Sequence, residues 1–508
     1  MHTISRRQFL ALSSATVMAS MFPLSLRAQS TLRPLPIPRV IDMTASSEAT
    51  VNLILRESNH HFGEGLSGTT FGINGTYLGP LIRLKNAQAV NLNVKNLLAE
   101  STTLHWHGLH VPGEVDGGPQ QMIAPNTTWR PTLEIKQRAS FNWYHAHPCG
   151  KTAEHVYKGL AGPLIVEDSD SLATDLPHTY GVDDFVIVLQ DKMFDDQGKM
   201  SYQLTEEMLL EGFAGNTLLV NGVRSGVSAQ TPRGWIRLRI LNASNARSIG
   251  IALANQAPLW VIASDGGFLS QPVEVAGLAI HAGERYEVLL DGSNTTTLDL
   301  LSVLEIEEGP EAEETEPEED ETDFADLMAT GGVGLPSKLL IRFIQDPLLP
   351  VASSAHLPQR LIHLPPADTS TALRQRNFVL NMNLGAAPHQ LQGTHQQSMG
   401  INGKAFDMTR IDEQIKRQEM EVWRFTSEDE VHPMHIHGTS FRILRVNGAP
   451  PPEYMQGWKD TVVVDDGGET EVLVSFPHLA NHRFPYMYHC HLLEHEDMGM
   501  MGQFTVSD

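Results

Sequence analysis

The sequence predicts an all-β chain built as three β-sandwich domains in series, and three observations carry that prediction. Short apolar/polar alternations, such as Glu471-Val472-Leu473-Val474-Ser475-Phe476, lie between turns rich in Gly, Pro and Asn. Few stretches have the spacing of a long helix. A tripeptide recurs three times, as Ile73-Asn74-Gly75, Val220-Asn221-Gly222 and Ile401-Asn402-Gly403. Asn-Gly is a turn former. About twenty residues after each copy comes a strand-like run: Val90 to Asn96, Trp235 to Asn242, and Glu421 to Phe425. With 508 residues and about 150 per domain, three units also fit the length. The expected boundaries are 29–170, 171–346 and 347–508. Pro347, Pro350, Pro358, Pro365 and Pro366 mark an extended linker that opens the third unit.

Ahead of the first domain, Ser5-Arg6-Arg7-Gln8-Phe9-Leu10 precedes an apolar run to Leu26 and then Arg27-Ala28. This resembles a twin-arginine signal peptide, residues 1–28, cleaved after Ala28 and delivering a folded protein to the periplasm through the twin-arginine export machinery. The rest of the composition excludes several classes. Lys and Arg number 36 against 60 Asp and Glu, a net charge of −24, which opposes nucleic-acid binding. No apolar run reaches the ~18–20 residues of a membrane span. Two cysteines, Cys149 and Cys490, cannot form a disulfide framework. A monomer is expected. Half of the net charge sits in Glu305 to Asp323, which holds twelve acids and no Lys or Arg. Such density predicts a disordered acidic insertion in the second domain.

The 23 histidines form four His-x-His pairs, His105/His107, His145/His147, His435/His437 and His489/His491, where chance gives roughly one. On a strand, residues two apart face the same side about 6.5–7 Å apart, so each pair can serve neighbouring metals in one cavity. Eight imidazoles exceed the needs of a single zinc. They suit about three metals, and copper is a good partner for neutral imidazole. A second repeat links the first and third units. Tyr144-His145-Ala146-His147 matches Tyr488-His489-Cys490-His491, and Gly159-Leu160-Ala161-Gly162 matches Gly499-Met500-Met501-Gly502. The middle unit has no histidine pair.

Cys490 is followed by His495 and Met500, and His432 lies three before His435. Two histidines, a thiolate and a thioether are the donors of a blue-copper electron-transfer site. Strand alternation points Cys490 one way and its neighbours His489 and His491 the other. One sulfur is thereby wired through a few covalent bonds to imidazoles of a separate cluster.

These motifs resemble the multicopper oxidases, and His489 to Met501 is especially similar to the bacterial copper efflux oxidases and laccases. The resemblance spans roughly residues 40 to 508. It implies three cupredoxin-like Greek-key β-sandwich domains and four copper ions. His432, Cys490, His495 and Met500 would bind type 1 copper, and His105 and His435 type 2. His107, His145 and His491 would hold one type 3 copper; His147, His437 and His489 would hold the other. The implied reaction oxidises donors one electron at a time and reduces O2 to water. Asp116 and Glu496 fall where the family places its proton-delivery acids. Some relatives have lost their copper ligands and act as structural or division-associated factors; a copper-sequestering protein is a further non-enzyme reading.

Substrate choice depends on the type 1 mouth, where an exposed ligand histidine, His432 or His495, is expected to meet the donor. The family's cuprous oxidases cover this entrance with a methionine-rich insertion. Here only Met382 and Met399 lie between Asn381 and Asn402, and Glu430 stands where a methionine is expected. A thinner lid and hard carboxylates favour phenolic or aromatic amine donors, a laccase-like activity, over Cu(I) or Mn(II).

Overall fold

The computed structural model describes residues 32–46, 49–303, 337–350, 356–385 and 398–508. The expected signal peptide 1–28, the acidic run 305–323 and residues 386–397 lie outside the described residues. The strands form three pairs of sheets, each pair drawn mainly from one stretch of chain. In the first, Val40–Asp42, Leu81–Lys85, Ala161–Glu167 and Ser140–His145 make one sheet. It faces a sheet of Leu66–Ile73, Ala49–Gly63 and Gln88–Asn96, edged by Thr128–Trp129 and Thr132–Ile135. Alternation sets the facing: Val90, Leu92 and Val94 are buried while Asn91 and Lys95 are exposed. They pack on Leu164 and Val166 of the opposite sheet in one apolar core. Two further cores fill the sandwiches built from strands between residues 184 and 345 and between 372 and 507. The fold is all-β with cupredoxin-like sandwiches in series, as the sequence predicts.

The recurring tripeptide has one structural role in all three units. In each, a long strand pairs antiparallel with a hairpin partner and parallel with a later strand. Ala49–Gly63 does so with Leu66–Ile73 and Gln88–Asn96. Asp184–Phe194 does so with Thr217–Val220 and Trp235–Asn242. Ala372–Asn381 does so with Gly400–Ile401 and Met420–Ser427. The hairpin partner ends at Asn74, Asn221 or Asn402, each left-handed with φ of 57°, 48° and 54°. Asparagine is among the side-chain residues that accept that region. The amide oxygen then accepts from the backbone N–H of Ile54, Val188 or Val379, at 2.8, 2.7 and 2.8 Å. The amide nitrogen donates to the carbonyls of Asn52, Val186 and Asn377, at 2.7, 2.9 and 3.1 Å. The asparagine is therefore a clamp on the parent strand as well as a turn residue.

The second repeat is a packing device. Gly162 pairs in register with Tyr144, and Gly502 with Tyr488. A Cβ on Gly162 or Gly502 would stand 2.3 Å from the phenol of its partner tyrosine. Glycine thus makes room for a ring that lies across the adjacent strand and anchors the strand bearing the histidine pair. Gly502→Ala is expected to cost roughly 1–3 kcal/mol by overpacking, read as a lower midpoint of chemical unfolding. Among the described residues no helix is long and apolar enough to cross a membrane.

Candidate metal centre

All eight paired histidines converge between the first and third sandwiches. Backbone pairing sets this up: His105 and His145 exchange hydrogen bonds of 2.8 and 3.0 Å, and His435 is in register with His489. Rings from the two sandwiches then stack, His105 on His437 at 3.8 Å between centroids and His107 on His435 at 3.6 Å. The ligand atoms gather into three groups, the first two sharing His107: His105, His107 and His435; His107, His145 and His491; His147, His437 and His489.

The outward nitrogen of most rings donates to an oxygen, which fixes its tautomer. His105, His145, His435 and His489 donate through Nδ1 to the carbonyls of Asp116, Ala146, Asp460 and Cys490, at 2.7–2.9 Å. His437 Nδ1 donates to Asp116 Oδ2 at 2.8 Å. The Nε2 atoms left over carry lone pairs. Those of His147 and His437 lie 3.3 and 3.2 Å from His489 Nε2. Inward-facing Nε2 of His105, His145 and His435 and Nδ1 of His107 are buried with no hydrogen-bond partner, as are both nitrogens of His491. Converging bare lone pairs repel one another unless a cation sits among them. Burial holds the His107, His145, His147, His435, His437 and His491 imidazoles well below their ordinary value of 6.5. Burial likewise pushes His489 down to about 3. These rings are neutral, the ligating form. The donor set fits copper.

A separate group holds Cys490, His432 and His495. Cys490 ends the strand Tyr486–Cys490, opposite Met434, and its side chain lies in the third apolar core. Its Sγ is 3.4 Å from His432 Nδ1 and 3.9 Å from His495 Nδ1. The two Nδ1 atoms are 3.3 Å apart, forming a triangle with sulfur. His432 Nε2 donates to the Asp429 carbonyl at 2.9 Å and His495 Nε2 to the Leu210 carbonyl at 2.7 Å. The Leu492 N–H approaches Sγ at 3.4 Å. Met500 is buried in the same core, and its carbonyl accepts from Cys490 N at 3.0 Å. Burial pushes the Cys490 thiol far up, so only a bound cation would make it a thiolate here. The one-turn helix Leu493–Asp497 carries His495 toward the sulfur.

The structure corrects the expected open mouth. His432 and His495 are both 0% exposed. The helix Glu206–Leu210, from the middle sandwich, covers His495 with its last carbonyl. Leu210, whose carbonyl meets His495, is 43% exposed, and Val431, next to His432 in the chain, is 40% exposed. Partial burial first, and then the charges of Glu211, Asp466 and Asp429, raise the Glu430 carboxyl.

Asp116 and Glu496 both reach the histidine cluster. Asp116 serves His437 through its carboxylate and His105 through its carbonyl, joining the two sandwiches. Glu496 is 1% exposed, excluding a solvated helix position. Its Oε1 lies 3.2 Å from His147 Nδ1 and its Oε2 3.2 Å from His489 Nδ1. Thr152 donates to Oε1 at 2.6 Å. Burial first, and the charge of Asp497 second, push the Glu496 carboxyl well above the ordinary range. Asp497 accepts from the N–H groups of Thr152 and Ala153 and so holds the helix Thr152–Tyr157 against the cluster.

Several participants carry no mark in the sequence. Asp460 accepts from His107 Nε2 at 3.0 Å and Trp143 stacks on His145 at 4.2 Å, both fully buried. Neither lies in a repeat. His110, close to the first pair in sequence, is a buried structural residue hydrogen-bonded to Ser440 Oγ at 2.8 Å. Burial, then the charge of Arg138, pushes His110 down to about 3. Its folded value lies below the ordinary one, so its contribution to stability is whole above pH ~6.5 and fades as pH falls toward ~3, at ~1.4 kcal/mol per unit. Comparing unfolding free energies of the wild type and His110→Gln between pH ~6.5 and ~5 should show that slope removed in the variant.

Three family models described as multicopper oxidase match residues 55–171, 183–299 and 380–508. Among curated proteins, the chain is 36% identical to the cell division protein FtsP of Escherichia coli over 507 residues, 99% of each chain. It is 38% identical to FtsP of Sodalis glossinidius, covering 99% of this chain and 98% of that one. Among solved structures it resembles a laccase-like multicopper oxidase CueO from an Ochrobactrum species, described as oxidising lignin model compounds and lignosulfonate. That match has a TM-score of 0.82 and 40% identity, covering 93% of this chain and 100% of that one. A multicopper oxidase from Pediococcus acidilactici matches with a TM-score of 0.77 and 28% identity, over 94% and 92% of the chains. With its histidine cluster, its cysteine triangle and these matches, the chain belongs to the multicopper oxidase family.

Proposed function

We propose that the protein is a laccase-like oxidase that takes single electrons from phenolic or aromatic amine donors and reduces O2 to water. The observation that carries this reading is the position of Cys490. Its Sγ faces His432 and His495 while its neighbours His489 and His491 face the histidine cluster. Cys490, His432, His495 and Met500 would hold one copper. His105 and His435 would hold a second, His107, His145 and His491 a third, and His147, His437 and His489 a fourth. When bound, copper supplies the one-electron redox chemistry at the sulfur site and O2 reduction at the cluster.

The protein's own groups do the rest. The backbone from Cys490 to His489 and His491 joins the two sites covalently. Glu496, its carboxyl pushed well above the ordinary range by burial and then by Asp497, stands beside His147 and His489, and Thr152 orients it. Asp116 aims His437 and His105. Trp143 walls the cluster from water. Over the cysteine site, donors meet Leu210 and Val431 rather than an imidazole edge, an apolar face suited to aromatic rings. The oxidase activity described for the Ochrobactrum relative, towards lignin model compounds and lignosulfonate, supports a laccase-like reading.

A metal-ion oxidase is the second reading, favoured by the mutual approach of Glu211, Asp429, Glu430 and Asp466 near His432. A division factor without catalysis is the third, suggested by the FtsP relatives. Export to the periplasm by the twin-arginine route rests on Arg6-Arg7 and the run that follows. Copper-loaded protein is tested with a phenol, an aromatic amine, Cu(I) and Mn(II) while O2 uptake is followed. The proposal expects the first two to be consumed fastest. Uptake with the metal ions alone selects the second reading, and a colourless copper-loaded protein selects the third.

A further inference from the structure

The middle sandwich has no histidine pair, yet its residues reach the cluster through a buried ionic group. Arg285 opens the strand Arg285–Asp291. Its guanidinium grips Asp460 with two bonds, Nη1 to Oδ1 at 2.6 Å and Nη2 to Oδ2 at 2.5 Å. The same side chain donates from Nε to the carbonyl of Phe141 at 2.9 Å. Phe141 lies on the strand that carries His145. Asp265, also of the middle sandwich, takes the backbone N–H groups of Asp460 and Thr461 on Oδ2 and that of Arg285 on Oδ1. Lys459 bridges Asp265 and Glu284 at 3.1 and 2.8 Å. All five charged side chains are buried.

The geometry beyond Asp460 gives this group a consequence at the metal centre. Asp460 Oδ1 accepts from His107 Nε2 at 3.0 Å, and its carbonyl accepts from His435 Nδ1 at 2.7 Å. His105, His145, His435, His437 and His489 all present Nε2 inward because Nδ1 is engaged. His107 is reversed: its Nε2 is engaged, and its buried Nδ1 is the bare atom. A neutral imidazole can carry its proton on either nitrogen, and the carboxylate selects which. The two-pronged grip of Arg285 fixes both carboxylate oxygens of Asp460, so the one that faces His107 is held in place, a geometry that a single ammonium cannot reproduce. The loop just before Arg285 adds to the arrangement. Gly283, left-handed at φ +84°, leaves room for the His491 ring, which a Cβ would meet at 2.9 Å.

We propose that Arg285 is a positioning residue for the histidine cluster, acting through Asp460 to hold His107 with Nδ1 inward, so that the middle sandwich completes the metal centre. The inference rests on the reading of that cluster as a three-copper site. It is tested on full-length, copper-replete Asp460→Asn and Arg285→Lys by three readouts: blue absorption per chain, the electron paramagnetic resonance of cluster copper, and chelator competition. The expected result is an unchanged blue band with cluster copper held ~10–100-fold more weakly and its resonance altered. Arg237→Lys, at a buried arginine paired with Glu287, is the control for general destabilisation and should keep the wild-type chelator profile. Wild-type resonance and chelator profiles in both test variants overturn the proposal, as does an equal shift in the control. If Asp460→Asn does not fold, Arg285→Lys, which keeps charge and stem, decides by the same readouts. A wild type without a blue band fails the parent reading; a blue wild type with unshifted variants fails this inference alone.

Discussion

Cys490→Ser is expected to abolish the blue absorption and to bring donor-driven O2 uptake down to the level of copper-free protein. The hydroxyl nearly matches the thiol in size, so the surrounding core, including Phe378, Met434 and Met500, stays packed. What disappears is the soft donor that the triangle with His432 and His495 needs. One copper per chain should be lost, while the cluster, whose ligands point to the other side of the strand, keeps its share. Copper analysis, visible spectroscopy and O2 uptake on one preparation check this. A blue serine variant, or one that still consumes O2 with donor, removes Cys490 from the entry site.

Glu496→Gln is expected to slow O2 reduction by ~10²–10⁴-fold, the usual scale for losing a positioned proton donor. Reduction of the blue copper by donor, followed without O2, should be unchanged, because Glu496 approaches His147 and His489 rather than the Cys490 triangle. Glutamine keeps the shape and can still meet Thr152, but it has no proton to give. In the wild type, burial and then the charge of Asp497 push the Glu496 carboxyl well above the ordinary range, which favours the proton-carrying form. Unchanged turnover in the variant ends the assignment.

Those two residues illustrate what the linear sequence conveys. Cys490 and its flanking histidines are legible because an extended strand turns spacing directly into facing, and the structure keeps Tyr486–Cys490 extended. The Asn-Gly repeat is legible as a turn. Its second use, as a clamp on Ile54, Val188 and Val379, depends on strands 20 to 33 residues away and leaves no local trace. The tyrosine–glycine match between the outer units reads as repetition, and only register shows that Gly162 and Gly502 clear space for rings. Burial of His495 was unreadable for the same reason at longer range. The covering carbonyl belongs to Leu210, 285 residues earlier. Asp460 and Arg285 are ordinary charged residues until three sandwiches bring them behind His107.

The central claim is that one sulfur faces a single copper while its two sequence neighbours serve a separate group of three. Crystals of the copper-loaded protein measured across the copper absorption edge test it directly. The account predicts four anomalous peaks: one bounded by Cys490, His432 and His495, and three among the imidazoles at 105, 107, 145, 147, 435, 437, 489 and 491. A density map with copper among those imidazoles but none at the sulfur, or with a single peak in place of three, would contradict it.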